Sequence, residues 1–407
     1  MNALNILKQR GFISQMTHEK EIEEIFKSGK VVFYNGYDPT ADSLHIGHYL
    51  TFMAMAHLQR QGHMPIVLMG GGTGMVGDPD KADTMRPLME ISEIDQNVAN
   101  FKKQAAKFID LSPDKAIMVD NADWLRNLNY INFVREYGVH FSVNRMLAAD
   151  KYKIKFEGKG LNFFELNYMI MQAYDFLELS RKYGCILQTG GSDQWSNIIA
   201  GVELIRRIDN KSAYGITFNL LARSDGAKMG KTLGGAIWLD AKKTSPYEFY
   251  QYFRNIPDED VKKCFNLLTF LSMDEIENIC NVDDQKINIA KERLAYEITN
   301  IVHGEVCAKE AQDTAKALFS GGVAEGVPSS KITKVQLGDG LNIIAVLKHC
   351  ELIPSSAEGR RLVLQGGITF AGQKIVDINY MVQYSDFLNG FVIIQKGKKV
   401  FHKLEIV

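Results

Sequence analysis

The chain is short of the features that mark secreted, membrane-spanning and metal-clustering proteins. Its five cysteines, Cys185, Cys264, Cys280, Cys307 and Cys350, are odd in number and widely scattered, with no CxxC pair. Neither a disulfide framework nor a zinc site is therefore indicated. No run approaches the roughly 18 apolar residues of a membrane span, and the first dozen residues hold no apolar core leading to a cleavage site. A reducing, cytoplasmic setting without membrane contact is the expectation. Net charge is nearly absent, at −1, which argues against a generally basic nucleic-acid coat. Internal repeats and low-complexity tracts are absent too.

What is present is an ordinary globular composition. With 407 residues, 46% of them hydrophobic, the chain can bury a sizeable core and should divide into two to three domains. The charge is unevenly spread. Residues 331 to 407 carry ten Lys or Arg against six Asp or Glu, a local +4 that leaves −5 on the remainder, so an RNA footprint, if there is one, should be local. Val31-Val32-Phe33-Tyr34 and Ile66-Val67-Leu68-Met69, the second ending in Gly70-Gly71-Gly72, give the rhythm of a parallel α/β sheet. Residues from about 100 to 185 read as mostly helical, and Cys185-Ile186-Leu187-Gln188 as a further strand. Ser245-Pro246 then opens a helical stretch, with Ser as N-cap and Pro in the first turn. Gly326-Val327-Pro328-Ser329-Ser330 reads as a linker before a last small α/β module.

Two short strings carry most of the chemistry. His45-Ile46-Gly47-His48 sets two imidazoles three apart at a helix start, and Lys228-Met229-Gly230-Lys231-Thr232 sets two ammonium groups and a hydroxyl in a glycine-bearing loop. Charge of that kind suits a departing pyrophosphate. Two decoys stand beside them. Gly72-Thr73-Gly74-Met75-Val76-Gly77 is a formal GxGxxG after a strand, but Asp78 and Asp80 follow it where a dinucleotide pyrophosphate would sit, and they would repel it. The lysine loop misses the P-loop pattern because Asp225 stands where glycine is required. Tyr168, Gln172 and Asp175 stand at i, i+4 and i+7 and share one helix face. Such a face is ordinarily a polar seam, yet Asp175 sits beside apolar Phe176 and Leu177, where a carboxylate needs a partner.

Together the two strings resemble the HIGH and KMSKS signatures of class I aminoacyl-tRNA synthetases. Tyr34 to Thr40, Asp78, the Tyr168 to Asp175 helix and Gly191-Ser192-Asp193-Gln194-Trp195 narrow the resemblance to bacterial-type tyrosyl-tRNA synthetases, over nearly the whole chain. The resemblance implies a Rossmann-like parallel-sheet catalytic domain over 1–235, with a helical dimerisation insertion at about 100–185 and the KMSKS-like loop at 228–232. A helical anticodon-side domain over 236–325, a linker at 326–336 and a small α/β RNA-binding domain over 337–407 would follow. It implies activation of L-tyrosine by ATP, with Mg2+ accompanying the nucleotide, then transfer to tRNA(Tyr) by a homodimer.

By the same resemblance, Tyr34 and Asp175 would take the phenol, and Asp78, Tyr168 and Gln172 the amino group. Asp38, Thr40, Gly47, Thr51, Arg86, Gly191, Asp193, Gln194 and Lys231 would hold ATP. Thr40, His45, His48, Lys228, Lys231 and Thr232 would act on the triphosphate. Arg360, Arg361, Lys396, Lys398 and Lys399 would meet tRNA. The chain departs from the family pattern at Asn35, where cysteine is common, and at Lys81-Ala82, where lysine is common at the second position. Two rivals are a tryptophanyl synthetase, which Tyr34 and Asp175 argue against, and a noncatalytic RNA-binding relative, which the intact motifs argue against.

Overall fold

The computed structural model describes residues 2–79, 88–158, 160–232, 235–281, 286–319, 327–387, 390–397 and 400–407, leaving aside the side chains of residues 231, 232, 318 and 319. Two compact units emerge. The first comprises Met1–Lys243 with Pro257–Ile287, and the second Thr244–Ile256 with Asn288–Val407. The helices between 257 and 280 thus pack with the first unit, although Ser245-Pro246 opens the second.

A six-stranded sheet forms the centre of the first unit. Its strands are β1 (Ile13–Met16), β2 (Val32–Tyr37), β3 (Met64–Met69), β4 (Ile117–Asp120), β5 (Leu187–Gly191) and β6 (Tyr214–Phe218), in the order β1-β6-β5-β2-β3-β4. All neighbours run parallel except β1, which pairs antiparallel with β6 at the edge. Ile66, Val67, Leu68 and Met69 of β3 are buried on both faces, as a parallel sheet covered by helices requires. Because β2 continues to β3 on one side and meets β5 on the other, the strand order reverses beside it. Open α/β sheets hold ligands in the crevice at such a point, beyond the carboxyl ends of the strands.

The longest helix, Phe163–Tyr183, has clear stops at both ends. Asn162 and Glu165 form a reciprocal capping box at its start, and Gly184 ends it in the left-handed region at φ 65. Helix Ile46–Arg60 leaves directly from the crevice after β2. A two-stranded hairpin, β7 (Lys231–Thr232) with β8 (Gly235–Ala236), lies later in the chain. The stretch read as mostly helical between 100 and 185 also contains β4. That strand is four residues long and half-buried at every position, so it lacks the alternation that betrays a strand in sequence.

In the second unit, Ser245 caps helix Pro246–Arg254 in a capping box with Glu248, with proline in the first turn as its spacing predicts. The last module is a five-stranded sheet ordered Gln373–Ile375, Ile368–Phe370, Phe391–Lys396, Val400–Ile406 and Ser329–Ile332. Ile343, Val346, Leu347, Val363, Ile394 and Leu404 fill its core.

Arg10 closes the first unit on its outer side. This residue, 6% exposed, donates from its guanidinium to the Asn266 carbonyl at 2.9 Å, the Thr269 carbonyl at 3.1 Å and the Leu271 carbonyl. The first two lie in the last turn and at the C-cap of helix Val261–Leu268, where a cation is also favoured by the helix dipole. Arg10→Met should lower stability by about 2–4 kcal/mol, since buried acceptors lose a charged donor. Chemical denaturation of the two proteins side by side checks this.

Candidate active site

The crevice beyond β2, β3, β4 and β5 collects most of the residues singled out in the sequence. Asp175 lies at its base, 1% exposed. Its carboxylate accepts from the Asn121 side-chain amide at 2.8 Å and from the Trp124 indole at 2.7 Å. Withdrawal from water pushes its pKa up to about 8, against the two donors, which favour the charged form. The Tyr34 ring packs 5.2 Å from Phe176. Its hydroxyl is buried and makes no hydrogen bond among the described residues. Burial and the neighbouring Asp175 charge hold that phenol well above its ordinary pKa.

The sequence gives no sign of Asn121, yet it joins this side of the crevice together. Its carboxamide oxygen accepts from the backbone N–H of Gly72 at 2.7 Å and of Thr73 at 3.3 Å, while its nitrogen donates to Thr73 Oγ1 and to Asp175. Asp120 accepts likewise from the Gly71 N–H at 3.0 Å. The amides of Gly71, Gly72 and Thr73 are therefore spent on side chains at the end of β4, and those of Gly74 and Gly77 on the Gly70 and Thr73 carbonyls. A Cβ at Gly70 would meet Asp38 Oδ1 at 2.1 Å, and one at Gly71 would meet Asp120 Oδ1 at 2.4 Å. Gly70 and Gly71 thus make room for carboxylates, and the motif amides of Gly72, Gly74 and Gly77 are all bonded within the protein, which argues against the dinucleotide decoy on geometry as well as charge.

A second polar cluster surrounds Asp78. Its carboxylate accepts from Gln194 Nε2 at 2.7 Å and Asn197 Nδ2 at 3.4 Å, and pairs with Lys151. Asn197 donates onward to Gln172 Oε1 at 3.0 Å. Tyr168 donates from its hydroxyl to Asp38 Oδ2 at 2.8 Å, and Asp38 Oδ1 accepts from Thr73 Oγ1 at 2.7 Å. The shared helix face of Tyr168, Gln172 and Asp175 thus meets Asp38, Asn197 and the Asn121 and Trp124 donors in turn. Asn121, Trp124, Lys151 and Asn197 are the partners that sequence reasoning misses.

The histidine motif is arranged by the backbone. His45 caps helix Ile46–Arg60, its Nδ1 accepting from the Gly47 N–H at 3.0 Å, and His48 Nδ1 accepts from the His45 N–H at 3.2 Å. The two rings stack with centroids 3.9 Å apart. With each Nδ1 used as an acceptor, the neutral rings carry their proton on Nε2 and keep it as a donor. Burial, and then the neighbouring His45, hold the His48 pKa well below its usual value. Gly47 serves this arrangement directly. A Cβ there would lie 2.9 Å from His45 Cε1, so glycine is what lets the imidazole cap the helix. Thr51 donates to the His48 carbonyl at 2.8 Å and meets the Tyr37 hydroxyl at 2.9 Å.

The lysine loop is fastened to that helix although the motifs begin at positions 45 and 228. The Ile237 N–H donates to the Gly230 carbonyl at 2.8 Å, and the Ile46 N–H to the Ile237 carbonyl at 3.0 Å. Gly230 has a φ of 87, and a Cβ on it would lie 1.8 Å from Ile46 Cγ2. Only glycine permits both the turn and the contact. Lys228 is exposed and Met229 is buried against Cys264.

Other expected residues fall in mixed positions. Thr40 and Asp193 are exposed at the crevice, and Gly191 packs against Asp193. Asn35 is turned inward, its carboxamide oxygen accepting from Thr189 at 3.2 Å and its nitrogen donating to the Gly36 carbonyl at 3.2 Å. Both ends of its carboxamide are therefore used within the sheet. In the last module, Ser355 caps helix Ser356–Leu364, on which Arg360 and Arg361 are exposed. Lys396 instead donates to the Leu352 carbonyl at 2.7 Å and lies 3.4 Å from Glu358. It is a brace inside the module rather than a free cation. Lys81, Arg86, Lys398 and Lys399, with the side chains of Lys231 and Thr232, lie outside the described residues.

A parallel sheet with its crevice at the reversal of strand order, headed by paired imidazoles and closed by a lysine hairpin, is that of a nucleotide-using α/β enzyme. Comparison with known proteins places it more narrowly. Residues 27–320 match the family described as tRNA synthetases class I (W and Y), and residues 320–404 match the tyrosine--tRNA ligase SYY-like C-terminal domain. A tyrosine--tRNA ligase of Acetivibrio thermocellus is 56% identical over 402 residues, 98% of either chain, and one of Clostridium botulinum is 54% identical over 407 residues, 100% of this chain and 99% of that one. The crystal structure of a C-terminally truncated Aspergillus nidulans mitochondrial tyrosyl-tRNA synthetase superposes with a TM-score of 0.70 at 30% identity, covering 78% of this chain and 94% of that one. The chain belongs to the class I tRNA synthetases of the tryptophan and tyrosine group, within the tyrosine--tRNA ligase family.

Proposed function

We infer that this chain activates L-tyrosine with ATP to tyrosyl-adenylate and transfers the tyrosine to tRNA(Tyr). The observation that carries the reading is the buried Tyr34 hydroxyl, unpaired among the described residues and coupled to the buried Asp175 carboxyl. A substrate phenol satisfies both, accepting from Tyr34 and donating to Asp175. Phenylalanine would leave both groups buried without that partner, at a cost of about 1–3 kcal/mol for each. Asp78, Tyr168 and Gln172 take the substrate ammonium. Asp38, Thr40, Gly47, Thr51, Arg86, Gly191, Asp193 and Gln194 hold the nucleotide.

The reaction is in-line attack of the tyrosine carboxylate on the α-phosphorus, and it needs no nucleophile from the enzyme. Positioning and charge stabilisation supply the acceleration. His45 and His48 offer neutral Nε2 donors to phosphate oxygens, and Lys228, Lys231 and Thr232 meet the leaving pyrophosphate. Thr40 acts with them. Magnesium carried by the triphosphate would neutralise part of its charge. No helix among the described residues is long and apolar enough to cross a membrane, and a cytoplasmic site of action accords with tRNA charging.

Asp175→Asn should cut tyrosine-dependent ATP/pyrophosphate exchange by about tenfold or more while phenylalanine and tryptophan stay poor substrates, because the phenol loses its charged acceptor. A rate near that of the unchanged enzyme would remove Asp175 from the pocket. The proton balance gives a companion reading. A phenol donor favours the charged carboxylate, so the pKa near 8 falls on binding, a proton is released, and affinity rises as pH climbs from 6 towards 8. Calorimetry in two buffers of different ionisation enthalpy measures that proton, which should vanish in the asparagine variant.

Arg360 and Arg361, with Lys398 and Lys399, are the proposed tRNA contacts of the last module. Replacing both arginines by alanine should weaken tRNA charging and flatten its salt dependence by about two units of slope, while leaving ATP/pyrophosphate exchange intact. Charging that matches the unchanged enzyme at every salt concentration would place the tRNA grip elsewhere.

A homodimer is also proposed, through the insertion near 130–164. Tyr130, Ile131, Val134, Val139, Val143, Phe156 and Phe163 are all exposed there, whereas Phe133 and Phe141 turn inward onto the sheet's helices. Exposed apolar area of that density in one segment fits a second copy of the same surface. Sedimentation at micromolar concentration should give twice the 45.8 kDa chain mass.

A further inference from the structure

Asp78, assigned above to the substrate ammonium, already holds an ammonium in this structure, that of Lys151. The two side chains are 13% and 16% exposed, so the pair is largely shielded from water. Lys151 stands in the first turn of the short helix Asp150–Glu157. Its neighbour Tyr152 is fully buried and donates to Asn197 Oδ1 at 3.3 Å, and Lys155 pairs with buried Glu165. The helix is therefore pinned one and four residues beyond Lys151. What can move without unfolding it is the lysine side chain itself, with four rotatable bonds.

We propose that Lys151 is an internal surrogate for the substrate amine, occupying the ammonium subsite on Asp78 in the empty enzyme and yielding it when tyrosine binds. The proposal rests on the tyrosine reading of the pocket. The crevice is rich in carboxylates, with Asp38, Asp120, Asp175 and Asp193 besides Asp78. An Asp78 left bare in that company would suffer repulsion and incomplete hydration. Lys151 removes that cost, and Gln194 and Asn197 hold the carboxylate in place for either cation. The exchange is then like for like. A ligand bearing an ammonium replaces one ion pair by another. A deaminated phenol has nothing to offer Asp78, and its carboxylate would need Lys151 to stay where it is. The device sharpens selection for the amine at the expense of apparent affinity, because only the fraction of molecules with Lys151 withdrawn is competent to bind.

The test compares the unchanged enzyme with Lys151→Met, which keeps the apolar stem and removes the charge, using calorimetric titration with L-tyrosine, tyramine and 3-(4-hydroxyphenyl)propanoate. Both amines should bind about fivefold to tenfold more tightly to the variant, and the propanoate no more tightly. Amine affinities that are unchanged or weaker would overturn the proposal. Failure of the unchanged enzyme to bind L-tyrosine at all would instead overturn the reading of the pocket. Should Lys151→Met fail to fold, the native protein still decides the matter. Nitrogen-15 NMR of its lysine ammonium groups, with the shielded Lys155 signal identified by its loss in Lys155→Gln, should show a slowly exchanging Lys151 signal in the empty enzyme that disappears with L-tyrosine and persists with the propanoate. A signal indifferent to tyrosine would likewise overturn the proposal.

Discussion

The carboxamide of Asn121 is the joint on which the amino-acid side of the crevice depends. One oxygen receives two amides of the glycine turn after β3, and one nitrogen reaches both Thr73 and the buried Asp175. A buried carboxylate is tolerable only when its lone pairs are occupied. Asn121 and Trp124 occupy two of them. Thr73 in turn bonds Asp38, which accepts from Tyr168. Through these few bonds the ends of β2, β3 and β4 and the face of helix Phe163–Tyr183 are set relative to one another. Specificity here is a property of that network more than of any one residue in it.

The nucleotide side is built on a different principle. There the backbone does the positioning. The stacked imidazoles are oriented by main-chain amides, and the lysine loop is sewn to the same helix start through Ile237 and Gly230. Two glycines, Gly47 and Gly230, make this possible by leaving out a Cβ that would collide with His45 and Ile46. Donors fixed before the nucleotide arrives need no reorganisation at the moment of reaction.

Much of this was legible in the sequence where the chemistry is contiguous. The two motifs, the capped helix start at Ser245 and the i, i+4, i+7 face of Tyr168, Gln172 and Asp175 each state their geometry within a few residues. The partners of those residues do not. Asn121 follows a four-residue edge strand with no alternation, and it meets Asp175 across 54 positions of chain. Lys151 reaches Asp78 across 73 positions, from a helix whose sequence shows only a lysine in a first turn. Lys396 reads as one of a basic run, yet a carbonyl 44 residues away claims it. Local patterns report periodicity and turns; which polar group finds which is decided by the sheet order, and that is not written in any one segment.

The tie between Gly230 and Ile46 bears on how this active site can change over time. Because the loop glycine and the helix isoleucine share one contact surface, neither position can drift alone. A larger residue at 230 demands a smaller one at 46, and a glycine already at φ 87 has no side-chain alternative free of strain. The two signatures are thus one inherited unit, so transplanting the loop from a relative into this scaffold should succeed only when its matching helix start travels with it.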